Sequence, residues 1–297
     1  MSATKKQYIV GIGEVLWDIF PDSQHLGGAP TNFACNFSYL NQLHQHPFST
    51  AIISQVGDDK LGKLAIKEIH QANVDTQFIS TCKLPTGQVD IQQDDKGNGH
   101  YLFLANTAWD HLAWHDSMLA LVEQTAAVCF GSLAQRSAES KKFIHHFIQK
   151  LPDSTIKLFD INLRAPFDDP DIVHQSLEVA NVVKINEDEL LILQHQYQLS
   201  KEYDKALTQL RDKFSLDCVA LTRGEKGAII LTKQSISELT TTPVISVNTV
   251  GAGDAYTAAL TMGLLNKEPL DVINRNAMTL ASNVCQQQAA SLKLNNY

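Results

Sequence analysis

Short β-branched runs alternate with stretches of helical period along almost the whole chain, and this rhythm constrains the fold more than any other feature. Strand candidates are Tyr8–Gly13, Thr50–Ser54, Ala127–Phe130, Ile156–Asp160, Val182–Ile185, Cys218–Thr222 and Gly227–Leu231. Between them lie helical candidates Thr31–Leu43, Leu61–His70, Ser140–Gln149, Asp204–Phe214 and Gly253–Leu265; in the first, Phe33, Phe37 and Leu40 share one face. Strands apolar on both sides, alternating with helices, predict a doubly wound, mostly parallel α/β sheet with helices on both faces. Ligands of such sheets bind at the carboxyl ends of the strands. The 297 residues show no repeat or linker, so residues 1–297 read as a single domain.

One segment breaks the rhythm. Thr86–Gln93 and Gly99–Leu104 alternate apolar and polar residues around Asp94-Asp95-Lys96-Gly97-Asn98, which predicts a hairpin. A hairpin inserted in a βαβ series makes a small flap, or lid, at about residues 86–104.

Charge narrows the partners. With 24 Lys and Arg against 32 Asp and Glu the net charge is −8, which argues against a nucleic-acid partner. An anionic ligand then needs a local nest of amides or a positioned cation. The five cysteines are scattered and lack CxxC spacing, so neither a disulfide framework nor a zinc site is expected. The start, Met-Ser-Ala-Thr-Lys-Lys-Gln, has no signal-peptide core, and no apolar stretch is long enough to span a membrane. The expectation is a cytoplasmic protein with no membrane partner.

Gly57-Asp58-Asp59-Lys60-Leu61-Gly62-Lys63 has the spacing of a P-loop, but Leu64 stands where a hydroxyl should hold magnesium. Two aspartates would also repel the phosphates. It reads instead as a helix start with Asp58 or Asp59 as N-cap. Gly11-Ile12-Gly13 lacks the third glycine of a dinucleotide fingerprint, and Glu14 follows at once.

The most informative stretch is Val247-Asn248-Thr249-Val250-Gly251-Ala252-Gly253-Asp254-Ala255, read as a β-branched strand, a small-residue turn and the start of a strong helix. Turn amides and a helix N-terminus together make an anion hole. Gly251 and Gly253 allow close backbone approach, and the helix dipole is expected to keep Asp254 ionised. A carboxylate beside a phosphate site can accept the proton of an attacking hydroxyl. The residues alone fit an Asp N-cap after a Gly turn equally well.

From about Tyr8 to Ala290 the chain resembles the ribokinase, or phosphofructokinase-B, family of sugar kinases. Thr249–Asp254 is similar to its carboxyl-terminal signature, and Gly27-Gly28-Ala29-Pro30-Thr31-Asn32-Phe33-Ala34 to its amino-terminal one. The resemblance implies an ATP- and magnesium-dependent carbohydrate kinase with Asp254 as catalytic base and the amides of Gly251, Ala252 and Gly253 around the transferring phosphoryl group. It implies sugar contacts from Asp18, Gly27, Gly28 and Asn32. Asp160-Ile161-Asn162-Leu163-Arg164 is similar to another family motif, with Asn162 and Arg164 near substrate or phosphate; an ion pair of Arg164 with Asp160 or a loop acid is the alternative. Asn186 and Glu189 resemble the motif that organises magnesium through water, though an exposed acidic helix turn has the same spacing. Thr222, Gly224 and Gly227 resemble the turn beside the nucleotide, and Asn283, in a helix over Ala281–Gln287, a residue near the adenine.

Gly13–Asp18, Ala108-Trp109-Asp110-His111-Leu112 and Phe130–Arg136 look like fructokinase-type members, and Ala29 replaces the Lys of ribokinases proper; fructose is the first expectation. Asn248 stands where relatives carry an Asp that helps hold a monovalent cation, and Gln288 where they carry Gly, so potassium activation is not expected. By analogy the lid closes over the sugar and pairs to form a homodimer. The rivals are a kinase for a sugar phosphate, a keto-deoxy sugar acid or a nucleoside, and a sugar-binding regulator without activity.

Overall fold

The computed structural model describes residues 6–20, 22–93, 99–241, 247–287 and 289–292. The chain runs β1 (Gln7–Ile12), β2 (Leu16–Ile19), β3 (Gln24–Gly27), α1 (Ala29–Leu43), β4 (Phe48–Gly57), α2 (Lys60–Gln71), β5 (Ile79–Cys82), β6 (Gly87–Gln93) and β7 (Gly99–Phe103). It continues through α3 (Ser117–Gln124), β8 (Thr125–Gly131), α4 (Ala138–Lys150), β9 (Ile156–Asp160), α5 (Pro170–Val179), β10 (Val182–Asn186) and α6 (Glu187–Tyr197). The last elements are α7 (Tyr203–Phe214), β11 (Cys218–Thr222), β12 (Ala228–Thr232), β13 (Ile236–Leu239), α8 (Ala252–Leu265) and α9 (Leu270–Cys285).

The main sheet has nine strands in the order β13-β12-β11-β10-β9-β8-β1-β4-β5. Every pair from β11 to β5 is parallel, and β12 and β13 close one edge antiparallel. Because side chains alternate along a strand, each strand feeds two cores. Val10, Val128, Phe130, Phe159 and Val183 enter one with Phe147, Leu177 and Leu207. Ile9, Ala127, Cys129, Leu158 and Val182 enter the other with Phe33, Phe37, Tyr256 and Leu260. This is the doubly wound α/β arrangement the alternation predicts. After β1 the chain builds β4 and β5 on one side and then crosses to β8 on the other, so a crevice opens between the carboxyl ends of β1 and β8.

Helix α8 is the central helix of the second core. Its run Ala255–Gly263 is buried all round, which its small and apolar residues permit. Its amino end therefore has a fixed position above the strand ends.

The 86–104 hairpin is present as β6 and β7, in register Val89 to Phe103; Asp94–Asn98 and Gln288 lie outside the described residues. The flap is larger than a hairpin. Strands β2 and β3 join it in a second sheet of order β3-β2-β6-β7, which carries Asp18 on a strand instead of a turn. Arg136 anchors this sheet to the body. Its Nε and Nη2 donate to Asp110 at 2.7 and 2.8 Å, Nη2 also donates to the Leu104 carbonyl at 2.7 Å, and the guanidinium stacks on Trp109 at 4.0 Å.

Three local expectations are corrected. Val247–Thr249 is a bend without strand pairing. The helix expected over Ala281–Gln287 is the end of α9, which starts at Leu270 and stops at Cys285. In the P-loop look-alike, Asp59 alone is the N-cap, accepting from the Gly62 amide at 2.7 Å. It also accepts from the Thr86 amide at 2.8 Å and hydroxyl at 2.7 Å, which ties α2 to the entry of β6. Lys63 is exposed and paired only with Asp58. Asp59→Ala is expected to destabilise the protein by about 2 kcal/mol in denaturant unfolding, through loss of the cap and of the Thr86 bonds. Lys63→Ala should stay within about 0.5 kcal/mol of the parent and leave turnover unchanged.

Candidate active site

The crevice between β1 and β8 holds a cavity of about 220 Å³, lined by Glu14, Asp18, Asn32, Asn162, Arg164, Lys184 and Asp254 among others. Leu16, Val89 and Phe103 of the second sheet line it from above. Gly28, the N-cap of α1, has φ 102° and lies so close to the Glu14 carbonyl that a Cβ would collide with it. A second cavity of about 250 Å³ is lined by Thr222, Gly224, Gly227, Ala228, Tyr256, Met278, Ala281 and Ser282. Thr249 and Gly253 line both cavities. The amino end of α8 is thus the wall between them.

That amino end is open. The N-cap is Gly251, at φ 81° and packed against the Ala290 carbonyl where no Cβ fits. No side chain caps the helix. Asp254 is its third residue and does not serve as N-cap, which removes the capping alternative. Instead its Oδ2 accepts a hydrogen bond from Asn32 Nδ2 at 2.9 Å. Asn32, expected at the sugar, therefore also orients Asp254 from α1.

Asp18, Gly28, Asn32, Asn162, Arg164, Gly251, Gly253 and Asp254 all reach the first cavity. Gly27 lies beside Asp18, whose Oδ2 is 2.5 Å from where a Gly27 Cβ would stand. Arg164 has no carboxylate partner among the described residues and bonds the Leu163 carbonyl at 2.9 Å. The alternative of an Arg164–Asp160 pair is not realised, because Asp160 accepts from Lys184 Nζ at 3.0 Å and from Thr257 Oγ1 at 2.8 Å.

Thr222, Gly224, Gly227 and Ala252 line the second cavity. Asn186 pairs in register with Thr222 one strand away. It forms a capping box with Glu189: Asn186 Oδ1 accepts from the Glu189 amide, and Glu189 Oε2 from the Asn186 amide, both at 2.8 Å. Glu189 Oε1 accepts from the Leu163 amide at 3.0 Å, so this residue is buried and not part of an exposed acidic turn. Asn248 bonds the Val250 amide at 3.0 Å and holds the turn from below. Asn283 is a correction. It faces a separate groove with Tyr39, Leu43 and His44, since on α9 the residues 278, 281, 282 and 285 share the face toward the second cavity.

The sequence reading did not use Glu14 or Lys184. Glu14 is buried, accepts from the Ala29 amide at 3.2 Å, and leaves Oε2 without a partner beside the cavity. The visible signal for Lys184 was a charged residue inside the apolar run of β10.

The pfkB family carbohydrate kinase model matches residues 13–296. This chain belongs to the pfkB family of carbohydrate kinases. It is 30% identical over 261 residues to a fructokinase of Vibrio alginolyticus, covering 84% of this chain and 81% of that one. An uncharacterized sugar kinase of Pyrococcus horikoshii is 29% identical over 284 residues, 89% and 85% of the two chains. Its structure in complex with ATP superposes with a TM-score of 0.79 over 95% and 93% of the chains. A fructokinase of Xylella fastidiosa with bound ATP, 19% identical, shares the fold with a TM-score of 0.81 over 96% and 94%.

In this carbohydrate kinase, burial dominates the site's acids. Burial, with the Asp160 charge adding to it, raises Asp254 to about 6, against the Asn32 hydrogen bond and the Lys184 and Arg164 charges. The expected ionising effect of the helix end is therefore outweighed. Burial likewise raises Asp18 to about 6 and Glu14 to about 7. For Lys184 burial opposes the charge, but Asp160 and Glu189 prevail and hold it above the ordinary lysine value.

Each raised carboxyl binds more protons in the folded than in the unfolded chain between its ordinary and its raised pKa. Its stabilising contribution is thus present below about pH 4 and lost as pH rises through about 6 to 7. Asp254→Asn is expected to raise the thermal midpoint at pH 8 above that of the parent. The two midpoints should converge near pH 4, as read by calorimetry across the range.

Proposed function

We propose that this enzyme transfers the γ-phosphoryl group of ATP, taken up with Mg²⁺, to a hydroxyl of a small neutral sugar, with fructose as the foremost acceptor. The observation that carries the reading is the uncapped amino end of α8 standing between two cavities, with Asp254 on the side that holds polar and acidic side chains. The second cavity, apolar at Tyr256, Met278 and Ala281 and polar at Thr222, suits a nucleotide. The first suits an uncharged polyol, since Glu14, Asp18 and Asp254 oppose a phosphorylated acceptor.

Asp254 accepts the proton of the attacking hydroxyl, held in line by Asn32. The amides of Gly251, Ala252 and Gly253 receive the charge that spreads over the transferring group. Magnesium generally keeps several waters and takes few direct carboxylates; Glu189, with each oxygen already on a backbone amide, would hold it through water, where the ion would neutralise phosphate charge. Thr222, Gly224 and Gly227 border the nucleotide, with Asn186 beside them. The second sheet serves as the lid, and closing it excludes water that would otherwise compete with the sugar. Its exposed Leu102 and Leu104 support pairing of two lids in a homodimer. We place the enzyme in the cytoplasm; among the described residues no helix is long and apolar enough to cross a membrane.

Arg164, without a carboxylate partner, favours one second reading: an acidic sugar such as a keto-deoxy acid. Turnover of ATP against fructose, glucose, ribose, a keto-deoxy sugar acid, fructose 6-phosphate and adenosine separates the two. The expected result is the highest kcat/KM for fructose; a clear preference for the sugar acid sinks the neutral-sugar reading.

Asp254→Asn should lower kcat by about 10²–10⁴-fold with ATP affinity retained, measured by steady-state assay and nucleotide titration. The acid limb of kcat/KM should fall below about pH 6, a value that belongs to the coupled carboxyls together. Replacing sodium by potassium at matched ionic strength should change kcat less than about two-fold in the parent, since Asn248 supplies no charge to a cation.

A further inference from the structure

We infer that Lys184 is a catalytic residue of this kinase: its ammonium meets the transferring phosphoryl group from beneath the first turn of α8. The inference rests on the sugar-kinase reading above and adds a side-chain cation to the anion hole of backbone amides.

Lys184 lies in β10 with its side chain on the α8 side of the sheet, 5% exposed. Its Nζ stands 3.1 Å from the point where a Cβ on Gly253 would sit. Gly253 is a residue that lines both cavities, so the ammonium lies at their junction. A side chain at Gly253 would cover Nζ; the glycine leaves it open to the first cavity, whose wall Lys184 forms.

An ammonium carries three donors. One goes to Asp160 Oδ1 at 3.0 Å, and no second acceptor is present among the described residues. Asp160 is itself fixed by Thr257 of α8 at 2.8 Å. The lysine is therefore held by one bond and aimed by it, with two donors left over.

A purely structural role explains this placement poorly. A buried ion pair rarely stabilises a fold more than apolar side chains of the same size. The amino end of a helix also repels a cation. Both costs are offset once an anion lies between the Gly253 amide and Nζ. During transfer the charge spreads over the three equatorial oxygens of the phosphoryl group, and the attraction of a fixed cation beside Gly253 strengthens as that charge develops. In the step itself the sugar O–H bond breaks and its proton passes to Asp254. The sugar oxygen bonds to phosphorus, the bond to the bridging oxygen breaks, and its electron pair leaves with ADP. Lys184 keeps its protons throughout.

The test uses Lys184→Met, neutral and of similar length, and the double variant Lys184→Met/Asp160→Asn, which also removes the carboxylate that the single variant strands. For each, kcat, ATP and fructose affinities and thermal midpoint are measured. So is the affinity for ADP with aluminium fluoride in the presence of fructose and magnesium, a mimic of the planar phosphoryl group. The expected result is a 10²–10³-fold loss of kcat in both variants. The mimic should weaken in parallel, while ATP and fructose affinities change only a few-fold. A structural role predicts a lowered thermal midpoint in the single variant, recovery in the double, and parental kcat per folded molecule in both; that result overturns the proposal. If Asp254→Asn loses turnover while both Lys184 variants keep it, only the role of Lys184 fails. If Asp254→Asn turns over like the parent, the kinase reading fails and this inference with it.

Discussion

An amino-terminal helix end without a side-chain cap leaves amide donors that must find an acceptor. In this protein that end belongs to α8, and the surrounding structure serves to keep it open. Gly251 takes a left-handed conformation against Ala290, so the chain turns into the helix without presenting a side chain to the amides. The helix behind is buried all round and clamped in the second core. The opening consequently stays at the crevice where the sheet's strand order reverses, and the two cavities meet there.

The groups around this opening are mutually dependent. Asn32 arrives from α1 to bond Asp254, Asp160 arrives from β9 to bond Lys184, and Thr257 of α8 bonds Asp160. The first joins α1 and the third joins β9 to the first turns of α8, while the second links β9 to β10 beneath them. Burial of the carboxyls costs stability at neutral pH, which is the ordinary exchange at sites that need poised acids and bases. A carboxyl raised to about 6, as Asp254 is, accepts a proton more readily than an ordinary aspartate.

The lid depends on a different kind of contact. Among the described residues it shares no hydrogen-bonded strand pair with the main sheet. Its attachment runs through Arg136, which joins Asp110, the Leu104 carbonyl and the Trp109 ring, and through Asp59, which holds Thr86 at the entry of β6. Both of these contacts sit at the ends of β6 and β7, and Leu16, Val89 and Phe103 of the second sheet face the first cavity.

The alternation of apolar strands and helices was local information, because a parallel strand buried on both sides needs a continuous apolar run and a covering helix needs its own period. The α/β class and most strand positions were legible for that reason, as was the Gly251–Asp254 turn, whose backbone demands glycine. Strands β2 and β3 were not. They are four residues each, too short for an apolar run or an alternation to stand out from a turn. The placement expected for Asn283 failed because it depends on the phase of α9, and a helix that begins at Leu270 turns residue 283 away from the second cavity. Lys184 and Glu14 carry no motif of their own; their importance comes from what lies opposite them. Sequence by itself determined which segments fold and where the glycine turn before α8 stands, since those follow from period, propensity and φ. Tertiary structure alone decided that Asn32 holds Asp254 and that Lys184 lies under Gly253, because those pairings join residues far apart in the chain, through the packing of α1, α8 and β10.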